Sequence, residues 1–164
     1  MSKYKLADTI EIPVEEADRI IKSFFKQVPK VQHFLESLGN AAKQNGYIRT
    51  PPPYGRIRWF DGHLSGDFSR LGEIERAGKN QPIQGGNADL TKLALVLLYR
   101  EIVYNNWPVK IIHTVHDEIQ TEVLEEYAVK WKDKMNFIME EAGKVIVKSI
   151  PMKVDCKIDE KWAK

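Results

Sequence analysis

Lys110-Ile111-Ile112-His113-Thr114-Val115-His116-Asp117-Glu118-Ile119-Gln120-Thr121-Glu122-Val123 is the stretch that decides how this chain folds. Two runs rich in β-branched residues, 110–115 and 119–123, flank the tripeptide His116-Asp117-Glu118. Val, Ile and Thr suit a pleated, half-buried surface, and polar residues between two such runs mark a turn. The stretch predicts a strand-turn-strand hairpin with Asp117 and Glu118 at or beside its turn. Two adjacent carboxylates in that place can hold a hard divalent cation such as Mg²⁺, which takes few protein carboxylates and keeps positions for water and phosphate oxygens. Alone the pair says little, because acidic residues are common at turns and on surfaces. Its setting says more: Val115 and Ile119 close in on it, so the acids interrupt what would otherwise be one continuous buried strand. His113 and His116 do not suggest a transition-metal site, since strand positions three apart face opposite ways.

Outward from the hairpin, helices dominate. Residues 124–148 carry Leu124, Tyr127, Ala128, Trp131, Met135, Ile138, Ala142 and Val145 along one side of a long helix. Beyond Pro151, Met152, Val154, Cys156 and Ile158 alternate with Lys153, Asp155 and Lys157, which predicts a half-buried terminal strand. Upstream, 70–104 reads as helix, interrupted near Pro82 and Gly85-Gly86, where the proline removes a backbone hydrogen bond and should kink or split it. Its second half is amphipathic through Leu90, Leu93, Ala94, Leu97 and Leu98. Near the start, Ala17, Ile20, Ile21, Phe24 and Phe25 fall at helical spacing behind Glu15 and Glu16, up to Pro29. Val31, Phe34, Leu35 and Leu38 line a second helix that Gly46 can end. Short strands at 47–50 and 56–60 can pair across Pro51-Pro52-Pro53, and 61–69 reads as a loop. The architecture expected is α+β: a small antiparallel sheet, made of the hairpin and the terminal strand, packed against long helices.

Bulk properties agree with one compact domain over 1–164. Apolar residues make up 43% of the chain, enough for a core, and charged residues 29%. The net charge is only +2, so any nucleic-acid contact must be a local basic surface. The single cysteine, Cys156, has no partner for an internal disulfide, which fits a reducing compartment. No run approaches the ~18 apolar residues of a membrane span. A cytoplasmic protein without a membrane partner is expected.

Two polar constellations accompany the hairpin. Arg76, Asn80 and Gln84 are spaced four and four, so on a helix they drift only ~40° per step and form one row. Such a row of donors and acceptors suits the sugar and base edges of a minor groove, where acceptors are common to all base pairs. It is also what an ordinary solvated helix face looks like. Arg56 and Arg58 share one face of a strand while Trp59 takes the other, and two arginines beside Gly55 can meet phosphates.

Taken in order, Gly55-Arg56-Ile57-Arg58, then Glu75-Arg76-Ala77-Gly78-Lys79-Asn80-Gln81-Pro82-Ile83-Gln84-Gly85-Gly86-Asn87-Ala88-Asp89, then Val115-His116-Asp117-Glu118 resemble family A DNA polymerases of the bacterial polymerase I type. That family carries Gly-Arg-x-Arg, a helix of the form Glu-Arg-x-x-x-Asn-x-Pro-Ile-Gln-Gly-x-x-Ala-Asp, and the strand-turn-strand motif C, Val-His-Asp-Glu. Gly86 and Asn87 depart from its usual Thr-Ala, and Gly78 and the triple proline are also departures. The stretch from Ile150-Pro151-Met152 to Lys161-Trp162 resembles the family's closing strand, and Met1-Ser2 with Ile12-Pro13 resembles the segment after the motif B fingers helix. The resemblance covers essentially the whole chain.

The resemblance implies that residues 1–46 end the fingers and 47–164 form the C-terminal palm. It implies that Asp117 is a catalytic metal ligand, Glu118 an auxiliary acid and His116 a neighbour of the primer terminus. Arg76, Asn80 and Gln84 would line the nascent duplex, and Arg56 and Arg58 would contact the primer-template backbone. The activity implied is DNA-directed DNA polymerisation with Mg²⁺, in which two ions are held mainly by two aspartates. Only the motif C aspartate is here; motif A and motif B have no counterpart in these residues, and Asp61 and Asp67 lack a strand setting. The expectation is therefore a C-terminal subunit of a split polymerase, starting at Met1, inactive alone and completed by an upstream chain with motif A and the fingers helix, acting on primer-template DNA and dNTP. The alternative is a non-catalytic remnant that binds primer-template DNA. Faces that would meet the missing parts should be apolar and exposed in the isolated chain.

Overall fold

The computed structural model describes residues 2–162; Met1, on which the expected starting seam rests, lies outside them. The elements are α1 (Lys3–Ile10), α2 (Val14–Gln27), α3 (Pro29–Asn45), β1 (Tyr47–Arg49), β2 (Ile57–Trp59), α4 (Phe68–Tyr104), β3 (Val109–Val115), β4 (Glu118–Val123) and α5 (Glu125–Ile146). Two small sheets form, β1-β2 and β3-β4. The chain divides into two compact units, one holding the residues up to Ile48 with Trp59–Lys79, the other Arg49–Arg58 with the residues from Asn80 onward. Among the described residues no helix is long and apolar enough to cross a membrane.

In the first unit, local signals set the helix ends. Ser2 caps α1 by accepting the Lys5 amide at 3.2 Å. Pro29 opens α3 rather than merely closing α2, its fixed φ being suited to a first helical turn. Gly46 ends α3 in the left-handed region, at φ 71°. Asp67 accepts the Ser69 amide at 2.9 Å and so caps α4, which begins at Phe68. Ala42, Ile48, Phe60 and Ile74 form the core of this unit. Gly78 is needed there: a Cβ on it would stand 2.4 Å from the Cβ of Ala42 on α3. The apolar side of α2 is only partly covered: Ala17 is buried, Ile21 and Phe25 are half-buried, and Ile20 and Phe24 are exposed.

Glu75 bridges Lys43, at 2.7 Å, and Lys79 in the same unit. Hydrogen bonds from Lys43 and then Lys79 hold its carboxyl well below the ordinary range, at about 2. A carboxylate with a depressed folded pKa stabilises above its unfolded pKa and loses that contribution as pH falls through the folded value. Between pH ~4.5 and about 2 the wild-type chain should therefore lose stability that Glu75→Gln never had. Urea midpoints at pH 7 and pH 3 test this; an equal acid-induced loss in both proteins counts against the bridge.

In the second unit, Ala94 and Leu98 of α4, Val109 of β3, Ile119 of β4 and Trp131, Met135, Ile138 and Ala142 of α5 make one core. The hairpin lies on α4 and α5 through this core, as the α+β reading expects. Two expectations are corrected. Pro82 and Gly85-Gly86 do not split the helix, because α4 runs 37 residues through them. Pro82 and Gly86 are buried, and a Cβ on Gly85 would stand 2.6 Å from Thr50 Cγ2, so packing against the segment 49–58 offsets the weak local propensity. The expected terminal strand does not form either: residues 151–159 carry no strand pairing. Its alternation is real, with Met152, Val154 and Cys156 half-buried and Lys153, Asp155 and Lys157 exposed. Alternation reports which side chains face the protein, whereas a strand also needs a neighbour to complete its hydrogen-bond ladder.

Candidate functional site

The β3-β4 hairpin is built around an odd residue. Val109 pairs with Val123 and Ile111 with Thr121, but beyond a register shift His113 pairs with Gln120 and Val115 with Glu118. The extra residue, Ile112, is a bulge. It changes the pairing parity so that the loop has two residues, His116 and Asp117, the length that suits a tight hairpin. It also moves His113 onto the face opposite to Val109 and Ile111. His116 takes φ 54°, the positive value that the first position of such a turn demands. Few non-glycine residues adopt it, and histidine is among those enriched there.

His116, Asp117 and Glu118 are all exposed. Glu118 opens β4, and the next residue, Ile119, is buried in the core, which fixes the turn onto α4 and α5. Neither carboxylate has an ion-pair or hydrogen-bond partner among the described residues. Two adjacent carboxylates with free acceptor oxygens fit Mg²⁺, which uses one or two such groups and fills its remaining positions with water and phosphate. No third His, Cys, Asp or Glu gathers with them among the described residues. Two free carboxylates are enough for part of a cation site and not for the whole of one.

Arg56 and Arg58 do share a face, and that face meets α4. Arg58 Nη1 donates to Gln81 Oε1 at 3.2 Å. Arg56 Nε lies 2.6 Å from Asp89 Oδ1, and its Nη2 reaches the Gly85 carbonyl at 3.4 Å. Gln81, Gly85 and Asp89 are spaced four and four, one row of the helix. Trp59 turns the other way and packs on Tyr47, ring centroids 5.1 Å apart. Asn80 and Gln84, both exposed, form the next row, ~100° around the same helix. The arginine pair and the Asn80-Gln84 row thus stand side by side. Arg76, exposed one turn earlier on α4, lies in the part of the helix that belongs to the first unit. Asp61 and Asp67 have local roles, the Asp61 carbonyl accepting from Arg70 Nε at 3.1 Å and Asp67 capping α4.

Asp89 escaped the sequence reading as a site residue. It is 5% exposed on α4, between apolar neighbours, and only its pairing with Arg56 distinguishes it. The one signal was its place at the end of the segment Glu75–Asp89.

Comparison with known proteins bears on the family and the fold. The family model described as DNA polymerase family A matches residues 1–164. DNA polymerase I of Caldicellulosiruptor bescii is 33% identical over 99% of this chain and 18% of its own length. DNA polymerase I of Aquifex aeolicus is 31% identical over 98% of this chain and 26% of its own. The thermostable DNA polymerase I of Thermus aquaticus is 31% identical over 99% and 19%. Among solved structures, the POL domain of Pol1 from M. smegmatis, in complex with DNA primer-template and dNTP, superposes with a TM-score of 0.80 at 30% identity, over 86% of this chain and 24% of that one. The chain spans about a fifth to a quarter of the length of these relatives. In each the matching stretch is one part of a longer single chain, so the expected separate upstream partner finds no support in them. With a family match from end to end and an α+β fold shared with a polymerase domain, the chain belongs to DNA polymerase family A.

Proposed function

We propose that these residues supply the motif C half of a DNA-directed DNA polymerase site together with part of its primer-template surface. What carries the reading is the hairpin turn: a bulged pair of strands, anchored on α4 and α5, that presents Asp117 and Glu118 with free oxygens. In this reading residues 1–46 end the fingers and 47–164 belong to the palm, and the protein works in the cytoplasm. Asp117 holds Mg²⁺, with Glu118 as an auxiliary acid and His116 beside the primer terminus. The chemistry that bound Mg²⁺ supplies is activation of the primer hydroxyl and neutralisation of charge on the transferring phosphoryl group. Asn80, Gln84 and Arg76 offer hydrogen bonds to the duplex, and Arg56 and Arg58 offer positive charge to its backbone. The second aspartate and the nucleotide-gripping helix come from polypeptide other than these residues, so the isolated chain binds DNA without extending it.

Fluorescence anisotropy of a labelled primer-template duplex against the purified chain, from 50 to 200 mM salt, tests the DNA part. Arg76→Ala should weaken binding and lower the salt slope by about 1. Asn80→Ala and Gln84→Ala should each cost about 1 kcal/mol and leave the slope unchanged, because neither carries charge. A row that is only solvated surface would show no loss in any of the three. The rival reading, a DNA-binding remnant without catalysis, predicts the same binding data, and the Asp117 substitution discussed below separates the two.

A further inference from the structure

Arg56 is tied down on every side but one. Its amide donates to Thr50 Oγ1 at 2.9 Å, and its carbonyl accepts the Thr50 amide at 2.9 Å. Its Nε meets Asp89 Oδ1 at 2.6 Å, while Nη2 makes a long contact of 3.4 Å with the Gly85 carbonyl. The side chain nonetheless stays 45% exposed, so the guanidinium is anchored by its Nε edge and open at its outer end. Gly85 permits the approach, since a Cβ there would overlap Thr50 Cγ2.

Asp89 is the unusual member. Its side chain is 5% exposed, and Oδ2 is buried with no hydrogen-bond partner among the described residues. A buried carboxylate with one of its oxygens unsatisfied is a poor source of stability; an apolar residue of similar volume would often do as well or better. What the pair does provide is direction. An arginine has its charge spread over a rigid planar fork, so fixing Nε sets where the remaining N–H groups point.

We propose that Asp89 is a positioning residue: it acts through Arg56, holding the guanidinium so that its outer N–H groups meet a backbone phosphate of bound duplex DNA. The inference rests on the duplex-binding reading above. Asp89 itself touches no DNA. Two effects of neutralising it have opposite signs, which makes the proposal decidable. Removing a negative charge beside a DNA-binding surface strengthens binding by simple Coulomb attraction. Releasing Arg56 weakens it.

The test is anisotropy of the same primer-template duplex with the full chain. Arg56→Ala should weaken binding about tenfold and lower the salt slope by about 1. Asp89→Asn should weaken binding by a similar factor, and the double variant no further than Arg56→Ala alone, a non-additivity that general destabilisation would not produce. Asp89→Leu, which keeps the position buried and removes the orphaned oxygen, should melt no lower than wild type and yet bind as weakly; it serves if the asparagine variant folds poorly. An Asp89→Asn or Asp89→Leu chain that folds and binds as tightly as wild type, or tighter, overturns the positioning role while leaving the duplex-binding reading intact. A wild-type chain that does not bind the duplex overturns both.

Discussion

Asp117→Ala, placed in a complete family A polymerase that carries this segment, should slow nucleotide addition about a thousandfold or more in single-turnover primer extension. A metal ion that neutralises charge in the transition state is worth several kcal/mol, and ~4 kcal/mol corresponds to about 10³ in rate. Asp117 is exposed, sits at the tip of a hairpin and has no partner among the described residues, so the fold should not register its loss. The melting temperature should stay within about what ±0.5 kcal/mol produces. Glu118→Ala should cost less, as befits an auxiliary group, and raising Mg²⁺ should recover more activity in it than in Asp117→Ala. Full activity in Asp117→Ala would leave the hairpin as an ordinary acidic turn. A segment that cannot restore extension even with Asp117 present, while duplex binding persists, would point to the non-catalytic remnant.

The second large effect concerns what holds that turn in place. Trp131 on α5 is 2% exposed, its Nε1 donates to Thr121 Oγ1 at 2.9 Å, and its ring packs on Trp107 at 5.4 Å between centroids. Thr121 lies on β4 opposite Ile111, on the side of the bulge away from the turn. Trp131 thus joins the helix to the strand that leads out of the acidic pair. Truncation to alanine should cost about 3–5 kcal/mol from the lost burial and the cavity left behind, a large share of the ~5–15 kcal/mol a domain has. Trp131→Phe should cost only about 1 kcal/mol, the hydrogen bond to Thr121. Urea unfolding followed by circular dichroism gives the magnitudes, and hydrogen exchange of the β4 amides gives the location. An alanine variant with an unchanged midpoint, or with β4 amides as protected as in wild type, would mean that the hairpin is held by something else.

Local signals were legible in the sequence. The hairpin was, because β-branched runs around an acidic turn satisfy a rule that involves only neighbours in sequence. Helix α5 was, because its apolar residues recur at helical spacing over many turns. Gly46 as a helix end was, because a left-handed terminal residue is a local need that glycine meets. The shared face of Arg56 and Arg58 was, because side-chain alternation on a strand does not depend on what lies opposite. The order of Gly55-Arg56, the Arg76-Asn80-Gln84 spacing and His116-Asp117-Glu118 sufficed for the family, since their combination is far more specific than any member.

What stayed hidden depends on partners distant in sequence. Pro82, Gly85 and Gly86 look like a break, yet α4 passes through them because packing on the segment 49–58 outweighs propensity. Residues 152–158 alternate like a strand, but no pattern in one segment can show whether a neighbour is there to pair with it. Helical spacing of Ile20 and Phe24 marks one apolar side of α2, but not whether it is covered, because burial requires a surface to meet, and both stay exposed.

The acidic hairpin shows the division most clearly. Sequence alone determined that Asp117 and Glu118 lie at or beside a hairpin turn, because strand propensity and turn chemistry act between adjacent residues. Only the tertiary structure decided that Ile112 bulges to fit a two-residue loop, that Trp131 holds β4 from beneath, and that a buried Asp89 pairs with Arg56. Each of those depends on which side chains folding brings within hydrogen-bonding or packing distance, and such contacts act over only a few ångströms in space, whatever the separation along the chain.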